Sequence, residues 1–185
     1  RREVVQEKHA HDYVSYVDKA SEKKVVSALR KLLPEAGFIA EEGSAAYSDE
    51  TYCWVVDPLD GTTNYIHDNA PYCVSIALRD KQSLLLGVVY EPCRDECFYA
   101  WKGGGAYVNG ERLRVSLVSE LKDAFVVTEL PYNFEQYART GEHLIHELYG
   151  KVAGIRMNGS AALALCYVAA GRFDAWLEAF IGKWD

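Results

Sequence analysis

Between Asp18 and Leu33 the apolar residues Val25, Val26, Leu29, Leu32 and Leu33 fall close to one helical face, so the pattern predicts an amphipathic helix. Pro34 and Gly37 close it. Phe38–Ala40 is short and apolar and runs into Glu41-Glu42-Gly43. Tyr52–Val56 is an aromatic and β-branched run, predicted as a strand that delivers Asp57 at its end. Val74–Arg79 and Leu84–Tyr90 read as strands joined by a polar turn at Asp80-Lys81-Gln82, and Cys97–Trp101 and Ala106–Val108 read as two more. Asn109-Gly110 has the chemistry of a tight hairpin turn. In the second half, Ala124–Thr128, Ile155–Asn158 and Phe173–Leu177 are strand-like. Tyr137–Tyr149 and the small-residue run Ser160–Ala170 are helix-like, and Gly171 ends the latter.

Strands and helices alternate irregularly, with hairpins interspersed. That order implies an α+β or layered α/β domain and excludes a regular parallel dinucleotide-binding sheet.

Bulk properties narrow the chemistry. The 185 residues carry a formal charge of −7, which argues against a general nucleic-acid binder. An anionic substrate stays possible, because a divalent cation reverses the local charge of an acidic site. No run reaches the roughly 18 apolar residues of a membrane span, and Arg1–Glu7 lacks the apolar core of a signal peptide. Five cysteines, an odd number without a dense framework, favour free thiols, Cys93 and Cys97 included. A cytoplasmic protein is expected.

The candidate chemistry is acidic. Asp18, Glu41-Glu42-Gly43, Asp57–Gly61 and Asp185 each place carboxylates beside turn or glycine signals. Mg²⁺ prefers oxygen ligands and needs several to converge. Asp57 and Asp60 flank Pro58 and Leu59, and a turn there can bring both carboxylates and the Leu59 carbonyl to one side. Gly61 then lets the backbone bend, and the N–H groups of Gly61 and Thr62 at a helix start suit a phosphate oxygen. On its own, Asp-Pro-Leu-Asp-Gly also fits an ordinary Asx-Pro turn.

The run Trp54-Val55-Val56-Asp57-Pro58-Leu59-Asp60-Gly61-Thr62-Thr63-Asn64-Tyr65 resembles the signature of the inositol monophosphatase family. Asp12–Asp18, Phe38–Glu42, Gly159–Ala162, Glu178 and Trp184-Asp185 resemble further family segments, so the likeness spans nearly the whole chain. The resemblance implies a single domain over 1–185 with a layered αβαβα sandwich, missing an N-terminal helix and a segment after Asp185. It implies Mg²⁺-dependent hydrolysis of a small polyol or sugar phosphate, with myo-inositol monophosphate as the leading candidate. Histidinol phosphate, fructose bisphosphate and nucleotide 3′-phosphate remain alternatives.

By the same resemblance Glu41, Asp57 and the Leu59 carbonyl hold one Mg²⁺, and Asp57, Asp60 and Asp185 hold a second. A weaker third ion uses Glu41 and waters. Asp18 and Thr62 orient the attacking water, with Glu41 completing the catalytic set. Asp60, Gly61, Thr62, Gly159, Ser160, Ala161 and Glu178 contact the substrate. Lithium inhibition and a homodimer are expected, and no nucleic-acid or membrane partner.

Other signals point less far. Asp18 also fits a helix N-terminal charge. Glu41 and Glu42 face opposite ways on an extended segment, so Glu41 is the one chosen. His9-x-His11 and His143/His146 lack the partners of a zinc site, Arg1, Arg2 and Lys8 read as a solvated terminal face, and Gly103–Gly105 reads as a loop. Gly182-Lys183 before Trp184 departs from the family pattern, and Lys183 is expected to alter the substrate rim. Haloacid-dehalogenase-like chemistry needs aspartates two apart, whereas Asp57 and Asp60 are three apart. The rival from another class is a catalytically weak, metal- or phosphate-binding regulatory module.

Overall fold

The computed structural model describes residues 5–9, 12–130 and 134–185, and the readings made for Arg1, Arg2, Lys8, His9 and His11 lie outside the described residues and side chains. Helix α1 spans Tyr16–Leu32. Its N-cap Ser15 accepts from the N–H of Val17, while Ser15 N–H donates to Asp18 at 2.8 Å, a reciprocal capping box. Pro34 bars the helical conformation from the residue before it, and Leu33 leaves the helix at φ −143°, ψ 82°. Val26 and Leu29 bury against Phe38, Trp54 and Val56, but Leu32 points to solvent, 75 % exposed, and does not share the packed face expected of it.

A seven-stranded sheet forms the main layer, in the order β3 (Gly37–Ala40), β4 (Tyr52–Asp60), β5 (Cys73–Asp80), β6 (Leu84–Glu91), β7 (Glu96–Trp101), β8 (Gly105–Val108) and β9 (Glu111–Arg112). Only β3 and β4 pair in parallel; the rest is an antiparallel meander. The β8–β9 turn is the expected Asn109-Gly110 hairpin, both residues with positive φ. An unforeseen antiparallel pair, β1 (Val5–His9) and β2 (Asp12–Ser15), precedes α1.

A second, parallel sheet holds β11 (Gly154–Arg156), β10 (Phe125–Thr128) and β12 (Ala175–Leu177). Helix α4 (Ala161–Ala169) lies between the sheets. Its Ala162, Leu163, Ala164 and Tyr167 pack with Cys73 and Phe98 of the large sheet and with Val127 of the small one. The small residues let the layers approach closely. A short α2 (Thr62–Ile66) follows β4, and α3 (Phe134–Leu148) joins β10 to β11. The order of layers matches the expected αβαβα sandwich. His143 and His146 are exposed on α3, and all five cysteines are free.

Candidate metal and phosphate site

The site forms where β4 ends. The strand was expected to stop at Val56; instead it continues to Asp60 through a β-bulge. Asp57 pairs with Ser75 and Asp60 with Cys73, so three steps on β4 oppose two on β5. On a regular strand residues three apart face opposite ways, but one extra residue returns Asp60 to the face of Asp57. The bulge is fixed locally, since Leu59 N–H donates to Asp57 Oδ1 at 2.9 Å.

Asp57, Asp60 and Asp185 bring carboxylate oxygens within 4.8 Å of one another. Asp57 and Asp60 are buried and Asp185 half-buried. Burial pushes Asp57 well above the usual carboxylate range, with the charges of Glu41, Asp60 and Asp185 adding to it. Burial likewise raises Asp60 to about 7, reinforced by Asp185, and lifts Asp185. Three oxygen donors whose ionisation burial disfavours, with neighbouring carboxylates adding to it at Asp57 and Asp60, fit a hard divalent cation, whose charge would favour the ionised forms. Glu41 stands beside Asp57, the first residue beyond β3, with its N–H on the Val56 carbonyl at 3.1 Å; it lies outside the tight trio.

Helix α1 supplies a polar face to the same place. Thr62 Oγ1 lies 2.8 Å from Asp18 Oδ1 and 3.0 Å from the Leu59 carbonyl. Asp18, 1 % exposed, is both the capping-box carboxylate of α1 and the partner of Thr62. One turn on, Ser21 Oγ donates to the Pro58 carbonyl at 3.1 Å. Gly61, between Asp60 and Thr62, has φ +92°, and a Cβ there would meet the Gly159 and Pro71 carbonyls at 3.0 and 3.1 Å. Only glycine suits both demands.

The far wall is the turn entering α4. Asp60 Oδ2 accepts from Ser160 Oγ at 2.6 Å and from Ala162 N–H at 2.8 Å, which seats the carboxylate at the helix N-terminus. Cys73 Sγ approaches the same oxygen at 3.7 Å. Asn64 Nδ2 donates to the Pro71 and Asn158 carbonyls, each at 2.7 Å. Glu129 Oε1 receives the N–H groups of Asn158 and Gly159 at 2.5 and 2.8 Å. The turn at residues 158–162 is thus held by the side chains of Asp60 on β4, Asn64 on α2 and Glu129 just after β10. Glu178 follows β12, and burial, then the charges of Glu129, Asp185 and Asp60, raise it to about 8. Its Oε2 is buried with no hydrogen-bond partner among the described residues. Lys183 is exposed.

Glu22, Ser21, Cys73 and Glu129 were not singled out from the sequence. Asn64 lies within the motif, where the sequence pattern assigns it no role. Glu22 and Ser21 carry a legible signal, polar positions one turn beyond Asp18 on the same helix.

Known proteins resemble this chain in sequence and in fold. The model of the inositol monophosphatase family matches residues 1–185. The Nus factor SuhB of Pseudomonas aeruginosa is 46% identical over 190 residues, covering 98% of this chain and 69% of that protein. An inositol-1-monophosphatase of Rhizobium meliloti is 41% identical over 179 residues, covering 94% of this chain and 66% of that one. A crystal structure of the extragenic suppressor protein suhB from Bartonella henselae superposes with a TM-score of 0.93 at 40% identity, covering 98% of this chain and 70% of that one.

Proposed function

The chain belongs to the inositol monophosphatase family, and from that premise we propose that it hydrolyses a small polyol or sugar phosphate with Mg²⁺, a myo-inositol monophosphate being the leading substrate. The observation that carries this reading is the convergence of Asp57, Asp60 and Asp185 beside the Thr62–Asp18 pair. Asp57, Asp60 and Asp185 would hold the ions, with Glu41 and the Leu59 carbonyl joining them. That carbonyl has a second lone pair beyond the one facing Thr62. Bound there, the cations would lower the pKa of water and neutralise charge on phosphate oxygens.

The chain's own groups supply orientation. Thr62 has one hydroxyl proton, and both of its partners, the Asp18 carboxylate and the Leu59 carbonyl, are acceptors. Its remaining lone pairs can therefore only accept, and an O–H of water is the donor that fits. Asp18 holds the Thr62 proton away from that water, so the water's own lone pair is turned outward to phosphorus. On the opposite wall, Glu178 Oε2, which has no hydrogen-bond partner among the described residues, suits a substrate hydroxyl. The test is phosphate release from a panel of polyol, sugar and nucleotide monophosphates, with and without Mg²⁺. Release that is absent throughout, or indifferent to Mg²⁺, overturns the reading.

A second reading has one observation in its favour: a relative at 46% identity bears the name Nus factor. A metal- and phosphate-binding regulatory module would bind Mg²⁺ and turn over none of the panel.

A further inference from the structure

Glu22 is a charged side chain with no solvent exposure, and its partners are backbone alone among the contacts described. It lies on α1 one turn after Asp18, so Asp18, Ser21 and Glu22 share a helix face. Each grips a different segment of the site: Asp18 takes Thr62 of α2, Ser21 takes the Pro58 carbonyl of β4, and Glu22 takes the loop after β3. Glu22 Oε2 accepts from Glu42 N–H at 2.6 Å and Oε1 from Ser44 N–H at 2.7 Å. Between those two donors Gly43 turns the chain at φ +72°, closed by its N–H on the Ala40 carbonyl.

We infer that Glu22 is a positioning residue of the metal site: its carboxylate fixes the backbone after Glu41 and so aims Glu41 at Asp57. The inference rests on the metal-binding reading above. Glu41 is anchored on its own N–H by the Val56 carbonyl, an extension of the β3–β4 ladder. The Ala40–Gly43 bond closes the turn, and Glu22 fixes the N–H groups on either side of Gly43, which sets the direction in which the chain leaves Glu41. A buried carboxylate is an expensive way to satisfy two N–H groups unless the geometry it enforces matters. Glutamine cannot replace it, because its amide NH₂ would face one of the two N–H donors.

The experiment is a Mg²⁺ titration followed by thermal unfolding of wild type, Glu22→Gln and Leu29→Ala. Leu29 is on the same helix but packs in the apolar core, so it reports general destabilisation. The Mg²⁺ concentration giving half of the Tm gain should rise about 10-fold in Glu22→Gln, the lower range for losing a partner that orients a metal ligand. Leu29→Ala should lower the metal-free Tm and leave that midpoint in place. Gly43→Ala is the second variant, for the case that Glu22→Gln does not fold. A Cβ at Gly43 meets nothing within 4 Å, so only its positive φ strains the same turn, and the midpoint should again rise. An unchanged midpoint in whichever of these two variants folds, with a wild type that responds to Mg²⁺, overturns the role of Glu22 alone. A wild type blind to Mg²⁺ overturns the metal reading and this inference with it.

Discussion

Thr62 on the first turn of α2 meets Asp18 on the first turn of α1 across 44 residues of sequence, at 2.8 Å. Asp18 also closes the Ser15 capping box of α1, and Thr62 also donates to the Leu59 carbonyl of β4. The pair therefore links the helix cap to the bulged end of β4.

Thr62→Ala should lower kcat far more than it raises KM, because orienting water matters mainly in the transition state. Asp18→Asn should do the same, and the double mutant should lose less than the sum of the two, since they act on one water. Steady-state kinetics on the four-member cycle checks this. Additive losses would separate the two roles.

Asp57→Asn keeps an Oδ1 to accept the Leu59 N–H, so the bulge should survive. Replacing a carboxyl whose ionisation is disfavoured by burial and then by the charges of Glu41, Asp60 and Asp185 should raise the metal-free Tm, while the Tm gain from Mg²⁺ and the phosphatase activity disappear. A variant that still gains Tm with Mg²⁺ as wild type does would show that the ions bind elsewhere.

These relationships were unequally legible in the sequence. Asp57–Thr63 is a local run whose spacing, turn residues and flanking strand can be read together. Its geometry was less visible: the bulge that aligns Asp57 with Asp60 depends on the register against Ser75 and Cys73, which only sheet pairing sets. The bonds that lock the far wall join residues 94 and 100 apart, Asn64 to Asn158 and Asp60 to Ser160. No local periodicity encodes such pairs. β1 escaped notice because Val5-Gln6-Glu7-Lys8-His9 lacks apolar alternation, and β9 because it is two residues long. Spacing puts Leu32 on the packed face, yet α1 ends there and the side chain is exposed.

The metal-free protein should show an inverted pH response at Asp60. Its carboxyl is raised from 3.8 to about 7 by burial. The folded state therefore holds a proton that the unfolded chain gives up, and the contribution to stability is full below 3.8 and lost as pH rises through about 7. Asp60→Asn cannot titrate there. The Tm of metal-free wild type minus that of Asp60→Asn should accordingly fall as pH rises across this window, and Mg²⁺ should flatten the fall for wild type. A difference that is constant or rises with pH would contradict the assignment.

Ser160→Ala should test the far wall. It removes the 2.6 Å donor to Asp60 Oδ2 and the N-cap of α4, leaving Ala162 N–H as the principal donor to that oxygen. Loss of a hydrogen bond to a carboxylate together with a cap should lower stability by about 1–3 kcal/mol, measured by denaturant unfolding with Mg²⁺ present. Ser160→Thr keeps the hydroxyl and should restore most of it. If alanine costs nothing, Asp60 is held by other groups.

Glu178 separates substrate recognition from metal scaffolding. Its Oε2 is buried without a partner among the described residues, and burial with three neighbouring carboxylates raises the group to about 8. Such an oxygen is costly to leave unpaired, so a ligand hydroxyl that reaches it recovers part of that cost. Glu178→Gln keeps size and one acceptor but removes the charge that bound cations would favour. For polyol phosphates kcat/KM should fall by about 1–3 kcal/mol, the range for a hydrogen bond to a charged partner. For p-nitrophenyl phosphate, which has no ring hydroxyls, it should hardly change. The midpoint of the Mg²⁺-induced Tm gain should also stay in place, because Glu178 lies outside the Asp57–Asp60–Asp185 trio. Equal losses on both substrates, with a shifted Mg²⁺ midpoint, would place Glu178 in the metal scaffold. Equal losses with an unshifted midpoint would place it in the orientation of the phosphate itself.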